Sequence, residues 1–329
     1  GRIGKHLRTQ SLDASTLRVL VLDEADRMLD MGFIDQVDEI VSECPTSRQT
    51  LLFSATFPEQ ISSLSSRIQR DPLRVTVETQ VASRLLKQRV YMCAPRDRKQ
   101  LISDLLAEVR PSTALVFCET REDCKQLGDF LTGRGAVALS LHGDMEQRDR
   151  DDVLLRFANG SASVLVATNL ASRGIDIPSL PLVIVSELSH DPESHLHRIG
   201  RTGRAGEEGL ALTVVAGPRE EERLDSIEEH LGYRIPLGEP PKRAGGLDFL
   251  RPLNRTVLIL SGRKDKLRKG DVLGSLVKDG GIPAKAIGRI DLMPKVCAVA
   301  IEASYLQQAI QHLRTGRVKN KRVRIQVLD

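Results

Sequence analysis

The 329 residues predict an α/β protein in three parts: a short α/β piece, a complete parallel-sheet α/β domain, and a small basic α+β domain. Three observations lead there. Across the first 235 residues short apolar runs alternate with helical stretches, the order expected of parallel strands joined by helical crossovers. A Pro- and Gly-rich tract, PLGEPPKRAGG at 236–246, then interrupts both periodicities. Beyond it the pattern becomes β-α-β-β-α-β and the charge changes sign. Residues 251–329 carry 17 Lys/Arg against 6 Asp/Glu, which leaves 31 against 38 in the rest of the chain.

The apolar runs place strands at 17–22, 49–53, 74–77, 88–92, 113–117, 136–140, 163–167, 182–186 and 209–215, with helical stretches between most of them. Near 78–87 the pattern relaxes into a polar stretch suited to a linker. After the Pro/Gly tract, strands fall at 256–260, 286–292, 296–301 and 322–328, with helices around 269–277 and 305–313. The parts are thus 1–80, 81–235, a linker at 236–252, and 253–329, and the Pro/Gly tract 236–246 has the composition of a segment outside any core.

Hydrophobic content of 40% and charged content of 28% fit a globular chain. No apolar run approaches the ~20 residues of a membrane span, and no charged-then-apolar leader opens the sequence. The expectation is a cytoplasmic protein, monomeric, with no membrane partner. Five cysteines at 44, 93, 118, 124 and 297, odd in number and without a CxxC pair, argue against a disulfide framework or a zinc site. The basic last quarter points to nucleic acid; its bland alternative is a solvated surface rich in Lys and Arg.

Four stretches carry chemistry. RVLVLDEADRMLDMGF (18–33) drives an apolar strand into Asp23 and Glu24. Carboxylates beyond the carboxyl end of a buried parallel strand sit where α/β sheets bind ligands, suited to a metal and a proton. They equally suit the acidic first turn of a helix. FSAT (53–56) ends the next strand in small hydroxyls. VLVATNLASRGIDIP (164–178) ends a strand in Thr168 and then offers Arg173 and Asp176. HLHRIGRTGRAG (195–206) spaces Arg198, Arg201 and Arg204 by three, close to one helical face and interleaved with glycines. That is either an anion site or a solvated arginine face.

Together and in this order these stretches resemble the DEAD-box RNA helicases, ATPases with two RecA-like domains. Asp23-Glu24-Ala25-Asp26 matches the DEAD element and Ser54-Ala55-Thr56 the SAT element. ALVFCET (114–120) and LHGDMEQRDR (141–150) match the fourth motif and its QxxR companion, Gln147 and Arg150. Gly1-Arg2 matches the tail of the TPGR motif. RKGDVLGSLVKDGGIPAKAIGRIDL (268–292) and RVKNKRVRIQVLD (317–329) resemble the C-terminal RNA-binding domain of the DbpA subfamily. The resemblance implies a partial RecA-like domain, a complete RecA-like domain, and a divergent RNA-recognition fold.

It also implies roles. Phosphoryl transfer needs positioning and charge stabilisation more than covalent help. By resemblance Asp23 holds Mg²⁺ through water, Glu24 activates the attacking water, and Arg201 and Arg204 are arginine fingers. Asp176 contacts the ATP ribose. His197, with Ser54 and Thr56, couples the phosphate end to the RNA side and to Asp26. Gly1, Arg2, Gln147, Arg150, Thr168 and Arg173 grip RNA phosphate and sugar oxygens, contacts that position without reading sequence. The implied target is a hairpin in the peptidyl-transferase region of large-subunit ribosomal RNA, in pre-ribosomal particles.

The basic domain contains one aromatic residue, Tyr305, at a helix start, and its strand KVCAVAIE (295–302) has none. Base stacking on the sheet, the usual mode of RNA-recognition folds, is therefore not expected. Recognition should instead fall to Arg263, Lys264, Lys266, Arg268 and Lys269, and to Arg317, Lys319, Lys321 and Arg322. No GxxxxGK[ST] loop occurs in the sequence, the half of the ATP site that cradles phosphates. The chain alone is then expected to be an inactive piece of an ATP-dependent helicase. The alternative is a non-enzymatic RNA-binding protein that uses the basic domain.

Overall fold

A near-continuous apolar strand is stable only when both its faces are covered, and the chain provides that cover unevenly. The computed structural model describes residues 1–54, 57–76, 86–169, 180–203, 208–243, 245–319 and 321–328. It divides into two units, Gly1–Glu78 and Thr79–Asp329.

In the first unit the order is α1 (Arg2–Arg8), β1 (Val19–Leu22), α2 (Ala25–Asp30), α3 (Ile34–Ser42), β2 (Gln49–Leu52) and α4 (Glu59–Ile68). The two strands pair in parallel, Val19 opposite Gln49 through Leu22 opposite Leu52. Leu22, Val37, Leu64 and Ile68 form a small core. Val19 and Val21, on the other face of β1, remain about half exposed. The strand expected at 74–77 is not formed at its described residues: Val75 is 76% exposed. A strand needs a neighbour to accept and donate its backbone hydrogen bonds, and none is paired with it among the described residues. Val77 and the polar stretch 78–85 lie outside them.

The second unit carries a six-stranded, all-parallel sheet. Its strands are β3 (Leu86–Cys93), β4 (Ala114–Cys118), β5 (Ala138–Leu141), β6 (Val164–Thr168), β7 (Leu182–Val185) and β8 (Gly209–Ala216). Their order across the sheet is β3-β8-β7-β4-β6-β5. Helices α5 (Arg98–Val109), α6 (Arg121–Gly133), α7 (Gln147–Ala158), α8 (Pro192–Ile199) and α9 (Pro218–Leu231) supply the crossovers and cover. The two-residue period of β4 shows why its sequence is apolar throughout. Val116 and Cys118 enter one core with Ile102, Leu105 and Leu127; Leu115 and Phe117 enter another with Leu141, Phe157 and Leu165.

The described residues of 236–252 form no helix or named strand, yet they are not outside the core. Val90 donates to the Pro236 carbonyl at 2.9 Å and accepts from Gly238 at 2.7 Å. Gly238 lies so close to the Tyr91 ring that a Cβ would sit 2.3 Å from it. Leu247 and Leu250 are 0% and 2% exposed in the main core. A tract rich in Pro and Gly cannot build regular structure, but it can run as a strap with two leucine anchors.

The basic part is a four-stranded antiparallel sheet in the order β10-β11-β9-β12, with β9 (Asn254–Ile259), β10 (Ile287–Leu292), β11 (Cys297–Glu302) and β12 (Ile325–Leu328). Helix α10 (Lys269–Gly274) runs into a π-helical turn, Ser275–Asp279, and α11 (Leu306–Thr315) follows β11. Val257, Ile259, Val272, Leu276, Val299 and Ile301 share the core between sheet and helices. The alternate residues Leu258, Ala298 and Leu328 face the other way and pack with Leu155 of α7. Thr256, fully buried, hydrogen-bonds Ser161 at 2.7 Å and accepts from Asn159 at 3.2 Å. Asn254 donates to the Asn159 carbonyl at 3.1 Å. This sheet face is thus an internal contact, in keeping with its lack of aromatics. The last strand begins at Ile325, not 322, so Lys321 and Arg322 belong to a loop.

Among the described residues no helix is long and apolar enough to cross a membrane. The five cysteines are free thiols, and burial pushes those of Cys124 and Cys297 up to about 11.

Candidate ATP and RNA sites

The acidic turn of the first unit is built by backbone ladder and strand end together. Phe53 donates to the Leu22 carbonyl at 2.8 Å, and Ala25 to the Phe53 carbonyl at 3.0 Å, carrying the β1–β2 pairing beyond Leu22. Asp23 is exposed, and one of its carboxylate oxygens accepts the Glu24 amide at 2.9 Å. Glu24 has φ +51°, the left-handed region that non-glycine residues adopt at a cost of about 1–3 kcal/mol. That reversal turns the chain from the strand into α2 and leaves the Glu24 side chain exposed at the strand end. Asp26 is 4% exposed, and its amide donates to the Ser54 hydroxyl at 3.1 Å. The DEAD and SAT segments are therefore physically joined, and the helix-dipole reading does not by itself account for their contact. Thr56 lies outside the described residues.

No group of three or more His, Cys, Asp or Glu among the described residues could hold a metal. An exposed carboxylate such as Asp23 fits Mg²⁺, which dehydrates reluctantly and takes few protein oxygens beside water and phosphate. Gly1 and Arg2, at the start of α1, are exposed.

In the second unit, α8 starts at Asp191, whose carboxylate caps the amides of Glu193 at 3.2 Å and Ser194 at 2.9 Å, with Pro192 as first helical residue. The helix ends at Ile199, so Arg198 and Arg201 do not share one helical face as their spacing suggests. Arg198 is buried, 1% exposed. It donates to the Glu187 carbonyl at 2.9 Å and to the Glu119 carboxylate, with its guanidinium 5.8 Å from the Phe117 ring centre. It is a strut rather than an anion ligand. Arg201 follows the helix and is half-buried; its amide donates to the Arg198 carbonyl and its carbonyl accepts from Leu180. His197 is half-buried in the last turn of α8. Arg173, Asp176 and Arg204 lie outside the described residues.

Thr168 closes β6 and is buried, opposite Cys118 at the end of β4. Gln147 and Arg150 occupy the first turn of α7, where Gln147 donates to Asp151 at 2.7 Å. Next to β4 and β7 lies a charge network that the motifs do not announce. Arg98 bonds Glu220 at 2.8 Å and the Ser186 carbonyl, and burial, then the nearby Asp123, pushes the Glu187 carboxyl up. Its only sequence signal is the position of Glu119 and Glu187 just beyond apolar strands.

In the basic domain the structure brings the two predicted clusters together. Arg263 and Lys264 stand exposed on a 3₁₀ turn tied by Asp265, which accepts the Gly262 amide at 2.9 Å. Arg268 caps α10, and Asp271 accepts its amide at 2.9 Å; Lys269 is exposed on its first turn. Lys266 and Lys319 both hold positive φ, +61° and +52°. Lys319 donates to the Lys266 carbonyl and lies 3.4 Å from the Asp271 carboxylate. The ammonium predicted to meet RNA is thus engaged as a clasp between the loops. Lys319, Lys321, Arg322 and Arg324, with Asp265, line a cavity of about 450 Å³; Arg317 is exposed beside it.

The chain matches three family models: DEAD/DEAH box helicase over residues 1–64, helicase conserved C-terminal domain over 97–206, and DbpA RNA binding domain over 256–327. It is 45% identical to the ATP-dependent RNA helicase DbpA of Escherichia coli strain K12, over 100% of this chain and 71% of that one. It is 35% identical to the DbpA of Bacillus subtilis strain 168, over 99% of this chain and 72% of that one. Among solved structures, Saccharomyces cerevisiae Dbp5 bound to RNA and ADP BeF3 aligns with a TM-score of 0.60 and 28% identity, covering 71% of this chain and 63% of that one. The acidic turn joined to the SAT serine, the arginine-bearing segment after α8 and the clasped basic loops thus sit in a chain that belongs to the DEAD-box ATP-dependent RNA helicases of the DbpA family, RNA-dependent ATPases by class.

Proposed function

We propose that this chain is part of a cytoplasmic, monomeric helicase that opens short duplexes in large-subunit ribosomal RNA during ribosome assembly. The observation that carries the reading is the pairing of two features. The basic domain is docked on the second α/β part through its sheet face, and its two basic loops are clasped together by Lys319 beside one cavity. An RNA hairpin held by Arg263, Lys264, Lys266, Arg268, Lys269, Arg317, Lys321 and Arg322 would be presented at a set position to Gln147, Arg150 and Thr168. Arg2 and Arg173 would add phosphate contacts. The division into residues 1–80, 81–235, 236–252 and 253–329 is part of this proposal.

Glu24 orients the attacking water and takes its proton, aimed by its left-handed backbone. Asp23 is the residue that would hold Mg²⁺ through water, and the ion would neutralise charge on phosphate oxygens. Arg201 and Arg204 stabilise charge on the phosphoryl group in transfer, a contribution of ~10³–10⁵ in rate in related enzymes. Arg198 holds the finger segment to Glu119 and Glu187. Asp176 and His197 contact nucleotide, and the Asp26–Ser54 contact, with Thr56, couples the acidic turn to RNA. ATP and RNA that each favour the same closed arrangement strengthen one another's binding. With no phosphate-cradling GxxxxGK[ST] loop in these 329 residues, the chain by itself is expected to bind RNA without turning over ATP.

The test is equilibrium binding to a peptidyl-transferase-region hairpin and to a hairpin of equal length with a scrambled loop, each at two salt concentrations. Selective binding with a shallow salt slope supports the reading. Equal binding that falls steeply with salt, the mark of phosphate contacts alone, sinks it.

A further inference from the structure

The 317–322 loop carries four basic residues, and its first carbonyl is held from inside the domain. Ser275 is 4% exposed, at the point where α10 widens into a π turn. Its hydroxyl lies 3.0 Å from the Arg317 carbonyl oxygen and 2.9 Å from Nε2 of His312. A carbonyl can only accept, so the one hydroxyl proton goes to Arg317. Ser275 must then accept from Nε2–H of His312, which assigns the tautomer. The widened turn is closed by Gly280 donating to the Ser275 carbonyl at 2.8 Å, five residues back. Gln308 of α11 donates to the Gly280 carbonyl at 2.8 Å.

The His312 ring is packed between two glycines. A Cβ on Gly280 would lie 3.1 Å from the ring and 2.7 Å from the Leu276 carbonyl. One on Gly316 would lie 3.0 Å from the ring and 2.7 Å from the His312 carbonyl. Gly316 also donates to that carbonyl at 2.6 Å. The chain leaving α11 is thus held at 316 and 317 before it enters the turn in which Val318 and Lys321 exchange hydrogen bonds of 2.9 and 3.1 Å. Lys319 clasps the same turn from the outside. π turns recur at functional sites, and a group set by buried bonds loses little entropy when it meets a ligand.

We propose that Ser275 and His312 are positioning residues for RNA selectivity. They touch no RNA, and they set the loop of Arg317, Lys321 and Arg322 so that its cations match one folded RNA instead of any phosphate chain. This rests on the proposed hairpin reading. Removing the relay leaves every positive charge in place, so sequence-independent attraction should persist while discrimination falls.

The experiment uses the full chain and its Ser275→Ala and Ser275→Thr variants. Affinities are measured for the peptidyl-transferase-region hairpin and the scrambled hairpin at two salt concentrations. Amide exchange across 317–322 is followed in parallel. Ser275→Ala should lose about tenfold in the ratio of the two affinities, the size of one to two hydrogen bonds. Its scrambled-hairpin affinity and salt slope should stay unchanged, and exchange at Val318 and Lys321 should quicken. Ser275→Thr, which restores the hydroxyl, should recover the ratio. A wild type that discriminates and a Ser275→Ala that discriminates equally would overturn the inference alone. A wild type that binds both hairpins alike would overturn the hairpin reading. The exchange arm would then decide the relay, with unchanged protection in Ser275→Ala refuting it.

Discussion

Replacing Glu119 should destabilise the second unit more than replacing Arg198, although the two side chains form one ion pair. Arg198 is 1% exposed, whereas the Glu119 side chain keeps 35% exposure. In Glu119→Ala the guanidinium stays buried with its charge uncompensated, a loss that costs about 3–5 kcal/mol in buried pairs. The surviving bond to the Glu187 carbonyl and the Phe117 ring at 5.8 Å offset part of it, so the expectation is about 3 kcal/mol. In Arg198→Met the carboxylate rehydrates and the thioether refills the space. What remains is a carbonyl without its donor and imperfect packing, about 1–2 kcal/mol. Native-state hydrogen exchange on peptides spanning β4 and β7 reads both losses locally, without assuming a single transition for the whole chain. Equal losses, or a larger one for Arg198→Met, would refute the claim that the buried cation is the demanding partner.

His195 is fully buried with neither ring nitrogen bonded, and burial, reinforced by Arg198, brings its imidazole down to about 4. Its folded value lies below the unfolded ~6.5, so the unfolded state binds the extra proton and stability is complete above pH 6.5. It should fall by about 3 kcal/mol as pH drops from 6.5 to 4, and His195→Phe should flatten that slope in urea titrations. Thr256→Val removes the bonds to Ser161 and Asn159 at constant shape and should cost about 1–2 kcal/mol. The loss should be seen as faster exchange in β9 with the core of the six-stranded sheet unaffected. Lys264→Ala should weaken both hairpins alike and reduce the salt slope by about one, whereas Lys319→Ala, which unclasps the loops, should chiefly lower selectivity.

The parallel sheet was legible because β4, β6 and β7 are buried on both faces and must be apolar throughout. The acidic turn was legible because four consecutive residues carry it. The packing of the stretch 236–252 was not legible: Leu247 and Leu250 look ordinary beside glycines and prolines, and only packing makes them anchors. The run expected as a strand at 74–77 forms none at its described residues, because an apolar alternation needs a paired neighbour before it becomes a ladder.

What the sequence determined by itself is local chemistry. It includes the carboxylates beyond β1, the hydroxyl at Ser54, the basic loops, and a sheet without aromatics to stack a base. Tertiary structure alone decided which of those charges are available. Arg198 reads as one of three matching arginines and is a buried strut, because Glu119 and Glu187 from other strand ends converge on it. Lys319 reads as one more RNA-facing lysine and is a clasp, because Asp271 and the Lys266 carbonyl lie across from it. Ser275 and His312, separated by 37 positions, carry no motif at all. Their partnership depends on a widened helical turn meeting α11, and such a contact is a property of packing between elements rather than of any window of sequence.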